Sequence, residues 1–200
     1  TAQNREALSL LEIEHVAQAE PHQSHRRQRH QHEPALQIAR IARTRFGDDA
    51  RAEAQLRAAL AIDPCQAEAN AFVAERLEAT ERWTELAALL GVRLEATPSD
   101  QLEARTALRL QLARVLAQHT ERPEQALVPL DAARAEMGAV AAIAEPLAEL
   151  LARLGRDDEL ASLCADAAER AAGPAEAAAW WTRAGEACCR IPDDARAAEC

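Results

Sequence analysis

The chain has no lysine and no tyrosine, two phenylalanines, three tryptophans and only six glycines in 200 residues. Strands and their turns draw on β-branched and aromatic side chains and on glycine. An all-β fold is therefore excluded, and a parallel-sheet α/β fold is disfavoured. The scarcity of glycine also leaves no loop able to cradle a phosphate. No nucleophile elbow, HExxH or comparable catalytic motif occurs, so the chain is expected to be non-enzymatic and to need no cofactor. The five cysteines, Cys65, Cys164, Cys188, Cys189 and Cys200, include no CxxC pair, which removes support for a structural zinc site. Most of them stand where neighbouring segments carry alanine, as small buried packers do. No apolar run approaches the ~18 residues that span a bilayer. No signal-like core follows Thr1, so a membrane partner is not expected and the location reads as cytoplasmic.

With lysine absent, all 23 basic residues are arginine, against 33 acids and a net charge of −10. Residues 1–50 are balanced, and residues 51–200 carry the whole excess. An acidic body with no basic stripe repels phosphate backbones. Nucleic acid is not an expected partner.

What the chain does have is helix former: 50 alanines and 24 leucines, together with Glu, Arg and Gln. These residues lose least on entering a helix, and the fold class is all-α. Short acidic or proline-bearing turns punctuate the helices at Asp49, Trp83, Pro123, Asp157 and Asp194, in steps of 34, 40, 34 and 37. Alternate steps make a larger period of 74, and it can be checked letter by letter. Leu36-Gln37-Ile38-Ala39-Arg40-Ile41 returns as Leu110-Gln111-Leu112-Ala113-Arg114-Val115. Glu85-Leu86-Ala87 returns as Glu159-Leu160-Ala161, and Leu77 as Leu151.

Gly47, Asp48, Ala52, Ala59, Leu60, Asp63 and Pro64, with apolar Leu56 and Ile62, follow the second-helix pattern of the tetratricopeptide family. The chain resembles that family as a divergent member, with leucine or alanine at most of its usual aromatic crossings. The resemblance implies a right-handed α-solenoid of antiparallel helix pairs, a superhelix whose neighbouring units bury one another's apolar stripes. It divides the chain into a half repeat (1–21), a basic His-rich loop (22–33) and units 34–64, 65–98, 99–138, 139–173 and 174–200. The last unit is truncated, so residues 1–200 form one repeat domain that looks like a fragment. Helices are expected over about 4–19, 34–46, 49–62, 66–80, 82–96, 100–119, 122–136, 139–154, 157–172 and 174–190, with another starting near 194. Alanines at the repeated crossings (Ala39, Ala52, Ala74, Ala113, Ala126, Ala148) allow close helix approach. Pro146 falls inside the helix 139–154 and predicts a kink there.

The family binds partners in a concave groove lined by the first helix of each unit. Carried over, the resemblance implies groove positions at Glu68, Ala71, Glu75, Glu78 and Ala79, and at Ala142, Glu145, Glu149, Ala152 and Arg153. Arg40, Arg114 and Trp181 face the same way. Such a groove favours a basic or amine-bearing segment of another protein, although glutamate is also an ordinary solvated helix residue. The lysine and asparagine of the family's carboxylate clamp are missing, so an acidic C-terminal peptide is not the expected ligand. The expected function is an interaction scaffold that holds a partner peptide or helix in this groove. The alternative is a regulatory or sensor segment of a larger signalling protein, such as a kinase or ATPase.

Two further features carry weaker chemistry. His22, His25, His30 and His32, in the only low-complexity segment, could hold a metal weakly, but a solvated loop accounts for them as well. His119 reads as an isolated surface or packed histidine. Cys188-Cys189 with Trp180-Trp181 could form a reactive or ligand-contacting patch. Ordinary core packing of large beside small side chains explains the same letters. With the last unit truncated, an uncovered Trp180 or Trp181 predicts fraying or self-association at the C-terminal end.

Overall fold

The computed structural model describes residues 35–42 and 47–191. The expected helix at 4–19, the histidine segment and the helix start near 194 lie outside the described residues. Every regular element among the described residues is helical, and none is a strand. In chain order they are α1 (35–42), α2 (Asp49–Ile62), α3 (Ala67–Ala79), α4 (Trp83–Ala96), α5 (Leu102–His119), α6 (Leu127–Met137), α7 (Ala141–Leu154), α8 (Asp157–Glu169) and α9 (Pro174–Arg190). A 3₁₀ turn, Pro123–Ala126, leads into α6. Most boundaries fall within two residues of the sequence reading.

The local causes are visible residue by residue. The Asp48 side chain accepts from the Arg51 N–H at 2.9 Å and caps α2. The helix ends before Pro64, whose ring disfavours helical geometry in the residue before it. Asn70 then donates to the carbonyls of Pro64 and Gln66, at 2.8 and 2.9 Å, and ties the turn to α3. Arg82 pairs with Glu85 at the start of α4, and Arg156 pairs with Glu159 at the start of α8. The 74-residue period therefore repeats a structural device as well as letters. Gly155 ends α7 at φ +67, with the Arg156 N–H bonded to the Leu151 carbonyl at 3.0 Å, the left-handed stop that glycine adopts without strain. Gly91 and Gly185, by contrast, lie inside α4 and α9 rather than at helix ends.

Two departures from expectation have physical reasons. The helix expected over 122–136 is split into the 3₁₀ turn and α6. Pro129 has no N–H to offer the Gln125 carbonyl, and the Leu127 N–H bonds the Glu124 carbonyl in the tighter turn. The helix expected to reach 172 stops at Glu169, because the Ala172 N–H is taken by the Glu176 carboxylate of the next helix at 3.0 Å. α7 continues on both sides of Pro146, which leaves the Ala142 carbonyl without its intrahelical donor.

The structure divides into two compact units, one ending at Ala79 and the other beginning at Thr80. In the first, Leu36, Ala39, Ala52, Leu56, Ala59, Val73 and Leu77 form the core of α1–α3. In the second, one continuous cluster runs from Ala113 through Leu130, Leu147 and Leu163 to Trp180 and Ala187. Ala39, Ala52, Ala113, Ala126 and Ala148 are buried as expected, and Ala74 is half-buried. Along the second unit each helix packs on its sequence neighbours. Polar links also join every other helix: Arg153 of α7 donates to the Ala117 carbonyl of α5, Arg183 of α9 pairs with Glu145 of α7, and Arg134 of α6 pairs with Asp166 of α8. Among the described residues, no helix is long and apolar enough to cross a membrane.

Candidate ligand-binding face

In the first unit, α1, α2 and α3 enclose a half-open cleft of about 210 Å³. Its floor is made by Leu36 and Ala39 of α1, Ala52 and Leu56 of α2, and Ala71 and Phe72 of α3; Arg40, Glu68 and Glu75 supply its polar edge. The opening exists because three floor positions are alanine, whose methyl groups do not fill the space between helices. Of the residues assigned to the groove from sequence, Arg40, Glu68, Ala71 and Glu75 are brought together here. Phe72, Leu36 and Leu56 complete the lining without having been assigned to the groove, and the geometry alone shows that they border an opening.

The cleft's charges are not equivalent. Arg40 clasps Glu68 through two hydrogen bonds, at 2.9 and 2.6 Å, and that guanidinium holds the Glu68 carboxyl below the usual glutamate range. Glu75 is exposed, and no ion pair or hydrogen bond engages it among the described residues. The sequence explains why. Three and four residues to either side stand Phe72, Ala71, Glu78 and Ala79, so no base sits on its helix face. Glu78 is exposed one turn further along α3.

The second unit repeats the α1 and α2 part of this floor 74 residues later, with Pro146 in place of Phe72. Leu110, Ala113, Ala126 and Leu130 stand for Leu36, Ala39, Ala52 and Leu56. Ala113, Ala126 and Leu130 are buried, and Leu110 packs against the same core. The edge differs. Glu145 replaces Ala71 and is occupied by Arg183 at 3.0 Å. Arg153 spends a guanidinium nitrogen on the Ala117 carbonyl at 3.2 Å. Arg114 is exposed, and Glu149, the counterpart of Glu75, is exposed and unengaged among the described residues.

Trp180 and Trp181 part company: Trp180 is 4 % exposed, under Arg183 at 5.6 Å from its ring centre, while Trp181 is 52 % exposed. Trp181 shares its open helix face with exposed Cys189, so core packing accounts for Trp180 only. The expectation of buried cysteines holds for Cys164 alone among the four described. Cys65 lies exposed in the turn after Pro64, Cys189 faces outward and Cys188 is half-buried. Desolvation pushes the Cys164 thiol pKa up. His119 is not isolated. Its ring stacks on Trp83 with centres 3.7 Å apart, joining the start of α4 to the end of α5. Among the described residues no three metal-ligating side chains converge; His22, His25, His30 and His32 lie outside them.

No family model, curated protein or solved structure matches the chain.

Proposed function

We propose that this protein is a non-enzymatic interaction module, in which tetratricopeptide-like helix pairs present the first-helix face to a peptide or helix of another protein. Contacts between alternate helices support this stacking: Arg40 with Glu68, Arg153 with Ala117, Arg183 with Glu145 and Arg134 with Asp166. Links of this kind join successive layers of a repeat stack. Antiparallel packing of consecutive helices from neighbouring units is supported by Trp83 on His119, start of one helix against end of the next, and by Asp157 with Arg190 at 2.8 Å.

The observation that carries the functional reading is the α1–α3 cleft. Four residues that the repeat register assigns to a binding groove, Arg40, Glu68, Ala71 and Glu75, line a single opening of about 210 Å³. That volume is below the ~300 Å³ at which small-molecule and cofactor pockets begin, and it fits one large apolar side chain of a longer ligand.

The test is selection of a random dodecapeptide display library on the full chain, followed by mapping of the selected peptides by amide chemical shifts. Perturbations centred on Ala71, Phe72 and Glu75, abolished by Ala71→Trp in a folded variant, are expected. Selected peptides that shift only the outward faces of α2, α6 and α8 would overturn the reading.

A further inference from the structure

We infer that the α1–α3 cleft selects a segment in which an apolar side chain is flanked by a cationic one, with Glu75 as the residue that reads the cation. The inference rests on the groove reading above and specifies the chemistry of its ligand.

Glu68, Glu75, Glu78, Glu145 and Glu149 all lie on the proposed face, and a simple count would call the whole groove acidic. The structure removes two of them. Glu68 is neutralised by Arg40 and Glu145 by Arg183, each across to the next-but-one helix. A ligand cation arriving at either would have to displace an arginine already in place. Of the cleft's own polar residues, only Glu75 keeps a carboxylate that is uncommitted among the described residues, at the edge of the apolar opening. Glu78, one turn further along α3 and outside the cleft lining, adds negative potential on the same side.

Complementarity then fixes the occupant. An apolar floor of Leu36, Leu56 and Phe72 gains by covering an apolar group. A peptide carboxylate beside it would meet Glu75 as a like charge, whereas arginine or lysine would meet a partner. The Glu75 position alone of this pattern recurs in the second unit. At the same position of the 74-residue period, Glu149 is again exposed and unengaged among the described residues, while its neighbour Glu145 is paired. An exposed pair contributes little to affinity, so the effect is one of selection, about fivefold between cationic and neutral ligands, with the apolar group supplying most of the binding.

The probes are four capped pentapeptides titrated into the ¹⁵N-labelled full chain: Gly-Arg-Leu-Arg-Gly, the same peptide with citrulline for arginine, with glycine for leucine, and Gly-Glu-Leu-Glu-Gly. Citrulline keeps the shape of arginine and removes its charge. The arginine peptide is expected to shift the Ala71, Phe72 and Glu75 amides and to bind about fivefold tighter than the citrulline peptide. That margin should vanish in Glu75→Gln, and in 1 M salt, where the screening length is ~3 Å. Glu75→Gln should leave the citrulline peptide's affinity unchanged, which a merely destabilising substitution would not do. Glu75→Arg should reverse the preference toward the glutamate peptide. Equal binding of the arginine and citrulline peptides, or equal loss of both in Glu75→Gln, overturns the inference while the groove reading stands. Should none of the four, nor any display-selected peptide, shift the cleft amides, the groove reading falls as well.

Discussion

Cys164 and Cys189 carry the same thiol in opposite surroundings. Cys164 is fully buried in the second unit's core, and desolvation lifts its pKa, so thiolate is scarce at neutral pH. Cys189 stands on the open face of α9. Timed iodoacetamide labelling read by mass spectrometry should modify Cys65 and Cys189 early and Cys164 only with unfolding; early labelling of Cys164 would contradict its place in the core. A second contrast concerns acid. Arg109 is buried, and its two terminal guanidinium nitrogens, Nη1 and Nη2, donate to the Glu136 carboxylate. That hydrogen-bonded contact holds the Glu136 carboxyl below its usual value, and Arg40 does the same for Glu68. A carboxylate with a depressed folded-state pKa contributes stability that is present above its unfolded value and lost as pH falls through the folded one. Stability should therefore decline below about pH 4.5, and Glu136→Gln should be less stable at pH 7 with a shallower acid limb. Parallel acid limbs for the two proteins, followed by circular dichroism, would rule the contact out as a source of pH dependence. These pairings were the least legible feature in the sequence. They join residues 27 or 28 apart across helices, and no same-helix rule at three or four residues reaches that far.

Elements were legible where punctuation was local. Asp48 before α2, the Asp63-Pro64 stop and Gly155 after α7 each act within a turn of where they stand, and the boundaries follow. The reading failed where a residue acts four positions back, as Pro129 does on Gln125. Pro146 gives a test at this scale. α7 contributes Ile143, Leu147, Ala148, Leu150 and Leu151 to the core, so packing holds it helical on both sides of a residue that opposes helix geometry. Restoring the missing N–H with Pro146→Ala should stabilise the protein by about 1–3 kcal/mol, read as a higher urea midpoint with unchanged slope. A lower midpoint would mean that the helices packed on α7 need the backbone geometry that Pro146 imposes. Of the candidate site, the nearness of Arg40, Glu68, Ala71 and Glu75 to one another was legible from the repeat. The cleft was not, because its volume depends on how far Ala39, Ala52 and Ala71 let three helices stand apart.

At the scale of the whole molecule, stability is set by which helices share a core. In a stack of repeats it is approximately a sum of unit terms and nearest-neighbour terms, with no single centre whose loss unfolds everything at once. Leu147 is 1 % exposed within the cluster of the second unit, and Leu77 is fully buried in the first. Truncating either to alanine removes buried methyl groups and leaves a cavity, at a cost of roughly 2–5 kcal/mol. In a single cooperative globule that loss would lower protection everywhere. In a repeat stack it is felt first by the helices that share the damaged core. Native-state hydrogen exchange should therefore show Leu147→Ala weakening amides of α5–α9 while α2 and α3 keep most of their protection. Leu77→Ala should do the reverse. The two patterns together separate local coupling from a uniformly fragile chain, because fragility would give the same map for both. Uniform loss of protection in both variants would show that the 74-residue repetition of letters has been built into one cooperative core, and the proposed interaction face would then have to be redrawn on a rigid globule.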